Sequence, residues 1–288
     1  MFITTQAPQD PQMLNLVPIL AVASHILLEE YQNYCAGREF KINEKDDHSP
    51  VTQADLKVNR YLIQELQKLN PDIPILSEES DYSDRHQWSQ CWMLDPLDGT
   101  KEFIHERDEF TINLSLIKNH TTVFSVIVVP TEQLMYMGYL TELPYKYSFS
   151  TKTWKRYCKY KQAAPDAIQV GLSHSSKNPK YQQYINYIEQ VKEIPVIRRE
   201  AGSAYKFCMM LEGEIDIYPR FHPTSEWDTS AGQGLLESIG GGLVTLDAVP
   251  FSYNQRATVL NKGFIAFRDQ EMQQLALDAL SNILQSNG

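Results

Sequence analysis

Two carboxylates three residues apart follow a short apolar run near the middle of the chain. The run Trp92-Met93-Leu94 predicts a buried strand that ends at Asp95. Pro96 then turns the chain, and Gly99 relieves the backbone just after Asp98. Two like charges held close together are unfavourable unless a cation lies between them, and carboxylate oxygens favour Mg²⁺ or Mn²⁺ over zinc. The pattern indicates a divalent-metal site, and the alternative is an Asx-type turn whose acids face solvent.

Two further acidic segments have the same character. Glu78 and Glu79 follow the apolar run Ile73 to Leu76, so a second predicted strand also ends in paired acids. The chain between Glu78 and Asp95 is long enough for one excursion and a return on an adjacent strand. Asp228 opens a predicted helix, near the positive end of the helix dipole. These acids favour the metal-site interpretation, whereas the alternative for Asp228 is a plain helix N-cap.

A third feature, the segment Ser49 to Asp55 (SPVTQAD), precedes a predicted helix. One interpretation is that Thr52 or Asp55 only caps this helix. The functional interpretation makes Asp55 a partner for a nearby hydroxyl. A hydroxyl that is hydrogen-bonded to a carboxylate can take a proton from water, which a lone hydroxyl does poorly. Residue types alone leave both interpretations open.

These segments resemble, in order and spacing, the motifs of one known family. DPLDGT, SEES, SPVTQAD and EWDTSAG are similar to the motifs of the inositol monophosphatase superfamily of lithium-sensitive, magnesium-dependent phosphatases. The resemblance spans about Leu14 to Phe267. Within the superfamily the chain most resembles bacterial 3'(2'),5'-bisphosphate nucleotidases of the CysQ type, through LDPLDGTKEFI, GSAYKFC and IYPRF. Inositol phosphatases usually carry an Asn before the Phe, where this chain has Lys101-Glu102.

The resemblance implies a metal site and a proton relay. It implies two or three Mg²⁺ ions, bound by one set of oxygen ligands: Glu78, Asp95, the backbone carbonyl of Leu97, Asp98 and Asp228. Glu79 would hold a further, weaker ion through water. Thr100 and Asp55 would orient and deprotonate the attacking water. Four members of the set would also contact the substrate: Glu78, Leu97, Asp98 and Asp228.

The resemblance also implies how the substrate is held. The amide groups of Gly99 and Thr100 would contact the phosphate, and a helix that begins near Thr100 would add free N–H groups. In the nucleotidases, residues that match Ser203 and Lys206 lie near the nucleotide, and Arg220 would pair with the 5'-phosphate. A helix turn near Ser203 would favour an anion as well. The alternative for Lys206 and Arg220 is solvated surface charge.

The activity that the resemblance implies is removal of the 3'-phosphate from adenosine 3',5'-bisphosphate. Adenosine 3'-phosphate 5'-phosphosulfate would be a further substrate. The resemblance also implies a place in sulfur metabolism and inhibition by Li⁺. One alternative is an inositol or other sugar monophosphate phosphatase on the same scaffold. Another is a non-catalytic metal-binding regulatory module, in which Thr100 and Asp55 would have no purpose as a relay. The segment Pro223 to Glu226 departs from some eukaryotic relatives, which carry basic residues there.

The elements around these motifs predict a mixed fold. The first half has two helices, Leu14 to Tyr34 and Asp55 to Leu69, and an antiparallel meander between Thr111 and Leu140. The second half alternates strand and helix from Ala167 to Ile239, where Gly240 ends the last helix. The resemblance implies an α+β fold, the layered α/β/α/β/α sandwich, with the metal cluster where the two halves meet.

Two halves are predicted. Residues 1–160 carry the DPLDGT metal site, and residues 161–288 carry the WD motif, which is the segment EWDTSAG, and the nucleotide contacts. The segment from about 141 to 165 is rich in Lys, Tyr and Ser, and it is the predicted boundary. Its aromatic and basic residues, together with Tyr136 and Tyr139, resemble a base-stacking platform. Hairpin packing is the favoured interpretation, because strands favour aromatic residues.

Composition restricts the partners. With 26 Lys and Arg against 36 Asp and Glu, the net charge of -10 would repel polymeric nucleic acid and anionic membranes. The four separated cysteines indicate reduced thiols in a cytoplasmic protein. The N-terminus lacks a signal-peptide pattern. The apolar stretch Leu16 to Leu28 is too short to span a bilayer. Peripheral contact with the cytoplasmic side of the inner membrane is compatible with both observations. We expect a monomer or homodimer that acts on a small nucleotide bisphosphate.

Overall fold

The computed structural model describes residues 1–45, 49–159, 166–174 and 176–285. The helices formed by these residues are α1 (Pro11–Cys35), α2 (Gln53–Leu69), α3 (Thr100–Ile104), α4 (Pro179–Asn186), α5 (Tyr205–Glu212), α6 (Glu226–Ile239) and α7 (Gln270–Gln285), with a 3-10 turn at Arg85–Gln87 and a π turn at Tyr187–Val191. The strands are β1 (Phe2–Thr5), β2 (Ile42–Glu44), β3 (Pro50–Thr52), β4 (Ile75–Ser77), β5 (Gln90–Asp98), β6 (Thr111–Lys118), β7 (Thr121–Val129), β8 (Leu134–Tyr139), β9 (Tyr145–Ser148), β10 (Thr153–Tyr157), β11 (Ile168–Leu172), β12 (Val196–Glu200), β13 (Ile217–Arg220), β14 (Thr224–Ser225), β15 (Gly242–Thr245), β16 (Leu260–Asn261) and β17 (Phe264–Phe267).

These elements stack in five layers around three apolar cores. Helices α1 and α2 cover one face of an eight-stranded sheet, in the order β1-β10-β9-β8-β7-β6-β5-β4. Helices α5 and α6 lie between its other face and a five-stranded sheet, in the order β12-β11-β13-β17-β15. Helices α4 and α7 cover the far side of the second sheet. The predicted α/β/α/β/α sandwich is therefore confirmed.

Regular burial explains why the first two helices form. Helix α1 buries Leu16, Leu20 and Leu27 on one face, at the spacing of successive helical turns. Its N-cap is Asp10, whose Oδ1 accepts from the backbone N–H of Met13 at 2.9 Å. Helix α2 repeats the pattern with its own buried face and packs beside α1. Both predicted helices are confirmed, and each begins slightly earlier than the sequence indicated.

The predicted antiparallel meander forms the centre of the first sheet. Strand β6 pairs with β7, and β7 with β8, so that Leu114 lies opposite Val126 and Val126 opposite Met137. Neighbouring residues on β7 enter different cores: Val126 faces α1 and α2, whereas Ile127 faces α5 and α6. Because both faces are covered, these strands are almost continuously apolar.

The segment predicted as a boundary instead contributes strands to the first sheet. Strands β9 and β10 form a hairpin, and β1 pairs with the outer edge of β10. The rings of Tyr147 and Trp154 lie 4.6 Å apart between centroids. Hairpin packing is thus confirmed for the described residues of this stretch, while Tyr160 and Lys161 lie outside them. The first sheet continues to Tyr157, and the division near residue 160 stays a prediction.

The second sheet is mixed. Strand β11 is parallel to β12 and β13, whereas β17 is antiparallel to both β13 and β15. The sequence analysis did not identify β14 to β17, whose two to four residues carry too little periodicity to recognise, and it also missed the 16-residue helix α7. Gly240 ends α6 with a positive φ of 98°, as predicted.

Helix α1 has 25 residues and is long and apolar enough, by length and composition alone, to cross a membrane. The helix extends beyond the apolar stretch Leu16 to Leu28 at both ends. That stretch alone is too short to span a bilayer, as expected, but the whole helix is not. Met13 and Ala23 belong to the buried face in the first core. Leu14 and Val22 are 41% and 45% exposed on the opposite side. In this fold α1 is a core helix with exposed apolar side chains.

Gly232 lies where α6 packs against α5, and a Cβ there would come 2.2 Å from Cδ2 of buried Phe207. Gly232→Ala should therefore lower the free energy of unfolding by about 1–3 kcal/mol through overpacking. Urea denaturation measures the change. Ser238→Ala on the same helix, whose hydroxyl donates to the carbonyl of Leu235, is the control and should cost less than about 0.5 kcal/mol. An unchanged stability of Gly232→Ala would contradict this packing.

Candidate active site

The acidic segments meet at one edge of the first sheet. Strand β4 is parallel to β5, with Ser77 at its end opposite Leu94, so Glu78, which follows β4, lies beside Asp95 of β5. The sequence predicted a strand that ends at Asp95. In the structure β5 continues to Asp98, and its register with β6 is irregular between Asp95 and Asp98. Side chains three residues apart on a regular strand point to opposite faces. The irregularity lets Asp95 and Asp98 face the same cleft.

Asp95, Asp98 and Asp228 form an acid cluster, since one carboxylate oxygen from each lies within 4.8 Å of the others. Burial raises the pKa of Asp95 well above its ordinary value, and the charges of Glu78 and Asp98 add to this. Burial likewise raises the pKa of Asp98 to about 6 and that of Asp228 to about 8. Such a cluster favours cations or protons, and its oxygen ligands fit a hard divalent ion.

Backbone and amide donors fix the first two acids of the cluster. Asp95 Oδ1 accepts from the N–H of Leu97 at 3.0 Å, which is an Asx-type turn. Asp95 is only 1% exposed, so the alternative of solvent-facing acids is wrong for this residue. Asp98 Oδ2 accepts from Asn113 Nδ2 at 3.0 Å and from the N–H of Ala204 at 2.7 Å. Asp98 therefore joins the first sheet to the start of α5.

Asp55 and Asp228 are both the third residue of a helix and both belong to a capping box. The N–H of Thr52 donates to Asp55 Oδ2 at 2.8 Å, and the N–H of Ser225 donates to Asp228 Oδ2 at 2.9 Å. The capping interpretation and the functional one therefore hold together. The helix start fixes each carboxylate, and Asp228 belongs to the acid cluster while Asp55 lies beside it.

The two residues predicted to form the relay are hydrogen-bonded to each other. Thr100 Oγ1 donates to Asp55 Oδ1 at 3.1 Å and lies 3.3 Å from the carbonyl oxygen of Leu97. The second oxygen of Asp55 accepts from Thr52 Oγ1 at 2.5 Å. Burial raises the pKa of Asp55 to about 6. Because a hydroxyl has one proton, its donation to Asp55 leaves the lone pairs of Thr100 available in the cleft.

Helix α3 begins at Thr100, as the sequence predicted, and Gly99 precedes it in the left-handed conformation with φ 97°. A Cβ at Gly99 would lie 3.2 Å from the Cβ of Ser203 and 3.3 Å from the carbonyl oxygen of Glu109. Glycine is therefore required for both the backbone angle and the close approach of the second half. Gly99 and Thr100 line the cleft, where the resemblance puts the phosphate.

A lysine outside the predicted motifs reaches the acids of the SEES segment. Lys45, just after β2, has its Nζ 2.7 Å from Glu78 Oε1 and 2.5 Å from Glu79 Oε1. Burial raises the pKa of Glu78, and Lys45 opposes this effect. Asn59 Nδ2 donates to the carbonyl of Glu79 at 3.2 Å. Lys45 thus carries positive charge beside both acids, and no periodicity or motif marks it in the sequence.

Ser203 and Arg220 bring the second half to the cleft. Arg220 Nη1 donates to the hydroxyl of Tyr218 at 3.2 Å, while its buried Nε has no hydrogen-bond partner among the described residues. The N–H of Ala204, just before α5, already donates to Asp98. The expectation that this helix start receives a substrate anion stays a prediction, since the N–H of Ala204 already has the Asp98 carboxylate as its acceptor.

Lys206 is completely buried, so the alternative of solvated surface charge is wrong for it. Its Nζ donates to the carbonyl of Ala201 at 2.7 Å and lies 4.7 Å from the ring centroid of Tyr218. Burial lowers its pKa. Lys206 is not among the residues that line the cleft, whereas Arg220 is. The structure therefore places Lys206 behind the wall to which Arg220 belongs.

One cleft of about 260 Å³ connects these groups. Its lining is Ser49, Pro50, Glu78, Asp95, Leu97, Asp98, Gly99, Thr100, Lys101, Glu102, Ser173, Ser203, Arg220 and Asp228. Three predicted site residues lie behind this lining: Asp55, Glu79 and Lys206. The sequence analysis did not name five of these lining residues as site residues: Ser49, Pro50, Lys101, Glu102 and Ser173. Lys101 and Glu102 directly follow DPLDGT and could have been found from that adjacency, whereas Ser173 has no such signal.

Comparison with known proteins identifies the class to which this site belongs. The sequence model of the inositol monophosphatase family matches residues 11–285. The chain therefore belongs to the inositol monophosphatase family. It is 34% identical over 241 residues to the 3'(2'),5'-bisphosphate nucleotidase CysQ of Salmonella typhimurium, covering 81% of this chain and 91% of that protein. The CysQ of Buchnera aphidicola is 32% identical over 248 residues, covering 85% and 89%.

Solved structures agree in fold. CysQ from Bacteroides thetaiotaomicron, a bacterial member of the same family, superposes with a TM-score of 0.72 at 31% identity and covers 87% of this chain and 94% of that one. The inositol monophosphatase of Thermotoga maritima superposes with a TM-score of 0.75 at 18% identity and covers 97% and 100%. The resemblance inferred from the motifs is confirmed.

The raised pKa values predict how metal and pH act on stability. Without divalent ions the folded state binds more protons than the unfolded chain at these acids, so stability falls as pH rises towards about 8. A bound divalent ion offsets the repulsion. The increase in Tm on adding Mg²⁺ should therefore be larger at pH 8 than at pH 6, and thermal denaturation with EDTA or Mg²⁺ measures it.

Asp228→Asn removes one of the repelling charges. At pH 8 it should raise Tm in EDTA and lose most of the increase produced by Mg²⁺. The control is Asp72→Asn, an exposed acid outside the cleft, which should keep the full Mg²⁺ response. A variant at Asp228 that responds to Mg²⁺ like the parent would contradict the assignment of this carboxylate to a metal site.

Proposed function

We propose that the chain is a Mg²⁺-dependent 3'(2'),5'-bisphosphate nucleotidase, which hydrolyses the 3'-phosphate of adenosine 3',5'-bisphosphate to AMP and phosphate. The observation that carries this proposal is the hydrogen bond from Thr100 to Asp55 beside the acid cluster, because it puts a relay for water next to a cation site. The relatives named CysQ carry this enzyme name, and the chain covers 91% of the Salmonella protein. Adenosine 3'-phosphate 5'-phosphosulfate is a further proposed substrate.

The cleft has the donors that the family's metal requires. Asp95, Asp98 and Asp228 present convergent carboxylate oxygens, and Glu78 and the carbonyl of Leu97 belong to the same cleft. We propose that these groups hold two or three Mg²⁺ ions. Glu79, whose carboxylate pairs with Lys45, would hold a further, weaker ion through water. When bound, Mg²⁺ supplies neutralisation of the phosphate oxygens and a lower pKa for water.

Thr100 and Asp55 would move the proton of the attacking water. The Thr100 oxygen would accept that proton while its own passes to Asp55 Oδ1. Thr52 holds the other oxygen of Asp55 through its N–H and its hydroxyl, so the carboxylate stays oriented. A buried carboxylate whose pKa is about 6 is a better base near neutral pH than a solvated one. The water oxygen then bonds to phosphorus as the bond to the 3'-oxygen breaks, and the 3'-oxygen takes a proton from water to give the 3'-hydroxyl of AMP.

The second half would recognise the rest of the nucleotide. The guanidinium of Arg220 belongs to the cleft wall and has a buried Nε without a partner among the described residues, which supports binding of a 5'-phosphate there. Ser203 belongs to the same wall. Lys206 would act on the substrate only indirectly. Its Nζ lies over the ring of Tyr218, and the hydroxyl of Tyr218 accepts a hydrogen bond from Arg220. The amides of Gly99 and Thr100 would bind the phosphate that is removed.

The proposed enzyme would act in the cytoplasm on free nucleotides of sulfur metabolism, with Li⁺ as an inhibitor. A net charge of -10 supports a small substrate held by bound cations rather than a nucleic acid polymer. We propose that the halves 1–160 and 161–288 contribute opposite walls of the cleft. The first sheet and α3 supply Asp95, Asp98 and Thr100, and the second half supplies Ser203, Arg220 and Asp228.

Asp55→Asn tests the relay. The amide keeps the size of the carboxylate but is a poor proton acceptor, so kcat for adenosine 3',5'-bisphosphate should fall by about 10²–10⁴-fold. Affinity for Mn²⁺, measured by calorimetry, should be unchanged because Asp55 lies behind the cleft lining. Full activity would contradict the relay, and loss of Mn²⁺ binding would reassign Asp55 to the metal site.

A phosphate-release panel tests the substrate. Adenosine 3',5'-bisphosphate, its 5'-phosphosulfate and inositol 1-phosphate should be compared with and without Mg²⁺ and Li⁺. We expect kcat/KM for the bisphosphate to exceed that for inositol 1-phosphate by at least about 100-fold, since its second phosphate pairs with a buried charged group. A higher kcat/KM for inositol 1-phosphate would show that the proposed function is wrong.

A further inference from the structure

Glu109 links the two walls of the cleft. It lies in the first half, between α3 and β6, and contacts the segment 202–204 that precedes α5. Its Oε2 accepts from the N–H of Gly202 at 2.8 Å and from His174 Nε2 at 2.6 Å. Its backbone carbonyl accepts from Ser203 Oγ at 3.0 Å. Both the side chain and the backbone of this one residue therefore hold the segment.

The segment is held in a conformation that it would not adopt freely. Ser203 has a positive φ of 40°, which is unfavourable for a residue with a side chain. A Cβ at Gly202 would come 2.4 Å from Cγ of Glu102 and 2.8 Å from the carbonyl oxygen of Glu109. The segment thus lies directly against the first half at a distance that only glycine permits. Such strain persists only where surrounding contacts fix it.

The same segment reaches the acid cluster. The N–H of Ala204 donates to Asp98 Oδ2, one residue after Ser203, which lines the cleft. Three successive residues of the second half are therefore bound to the first half, two of them by Glu109. Loss of the Glu109 carboxylate leaves two contacts in place, that of Ser203 with the Glu109 backbone carbonyl and that of Ala204 with Asp98, but it frees Gly202, at which the segment begins.

We propose that Glu109 is a positioning residue that sets the place of Ser203 in the substrate wall and so determines affinity for the nucleoside part of the substrate. The inference rests on the proposed function for the identity of the substrate. Glu109 also positions His174, whose other ring nitrogen lies 3.7 Å from Glu200, so the imidazole is held between two carboxylates at the margin of the second half. Glu109 itself does not line the cleft and touches no reacting atom.

The test compares Glu109→Ala and Glu109→Gln with two substrates. Adenosine 3',5'-bisphosphate needs the second wall, whereas p-nitrophenyl phosphate carries only the phosphate and a small leaving group. Glu109→Ala should raise KM for the bisphosphate by about 10- to 100-fold, the effect of one or two hydrogen bonds to a charged group, with little change in kcat. Its kcat/KM for p-nitrophenyl phosphate should stay near the parent value. Glu109→Gln keeps an acceptor for Gly202 and should recover most of the affinity.

Hydrogen exchange gives a readout that does not depend on activity. In Glu109→Ala the amide of Gly202 loses its acceptor and should exchange faster than in the parent, while the amide of Ala204, which donates to Asp98, and those of α5 should be unchanged. Glu200→Ala is the matched control, because it removes the other carboxylate beside His174 without touching the segment, and it should leave KM and exchange unaltered. Mn²⁺ affinity should be the same in all variants, since the acid cluster is intact.

The outcomes separate this inference from the proposed function. If the parent does not hydrolyse the bisphosphate, the proposed function fails, and exchange at the amide of Gly202 still tests whether Glu109 holds the segment. If the parent is active and Glu109→Ala leaves both KM and exchange unchanged, the inference is overturned. An equal loss for both substrates together with weaker Mn²⁺ binding would also overturn it, because Glu109 would then support the metal site.

Discussion

The repulsion among clustered carboxylates, one buried and two half-buried, is the constraint on which this structure depends. Asp95 and Asp98 lie three residues apart and Asp228 lies 130 residues further along the chain, yet oxygens of all three converge within 4.8 Å in a cleft that burial makes unfavourable for charge. A fold bears such an arrangement only if other contacts fix the acids, and a divalent cation removes the cost. The strands, turns and helix starts around the cleft are best understood as the means of holding these oxygens in place.

The fixing contacts also form the framework. Asp55 and Asp228 close the capping boxes of α2 and α6, so the contact that starts each helix also orients a carboxylate at the site. Asp98 accepts an amide from the second half, and the irregularity in β5 turns Asp95 and Asp98 to one side. Helices α5 and α6 fill the space between the sheets, so the position of Asp228 is set by the middle core. Chemistry and stability therefore share the same hydrogen bonds.

Much of this was predictable from sequence because the site residues lie in short local motifs. DPLDGT, SEES and SPVTQAD each combine an element boundary with acids, and the family resemblance supplied their roles. Lys45 and Glu109 could not be predicted, since their importance comes from contacts 33 to 94 residues away along the chain. Lys206 illustrates the same limit: its charge was visible in the sequence, whereas its burial behind Tyr218 depends on how α5 packs. The short strands β14 to β17 were missed because two to four residues show no period.

If Asp95, Asp98 and Asp228 share divalent ions, anomalous diffraction should show those ions most directly. Crystals of the protein soaked in MnCl₂ should show anomalous peaks between the side chains of Asp95, Asp98 and Asp228, within about 2.0–2.6 Å of their oxygens, the range for hard cations. A soaked crystal whose carboxylates converge without any anomalous density among them, or whose acids point apart, would contradict the account.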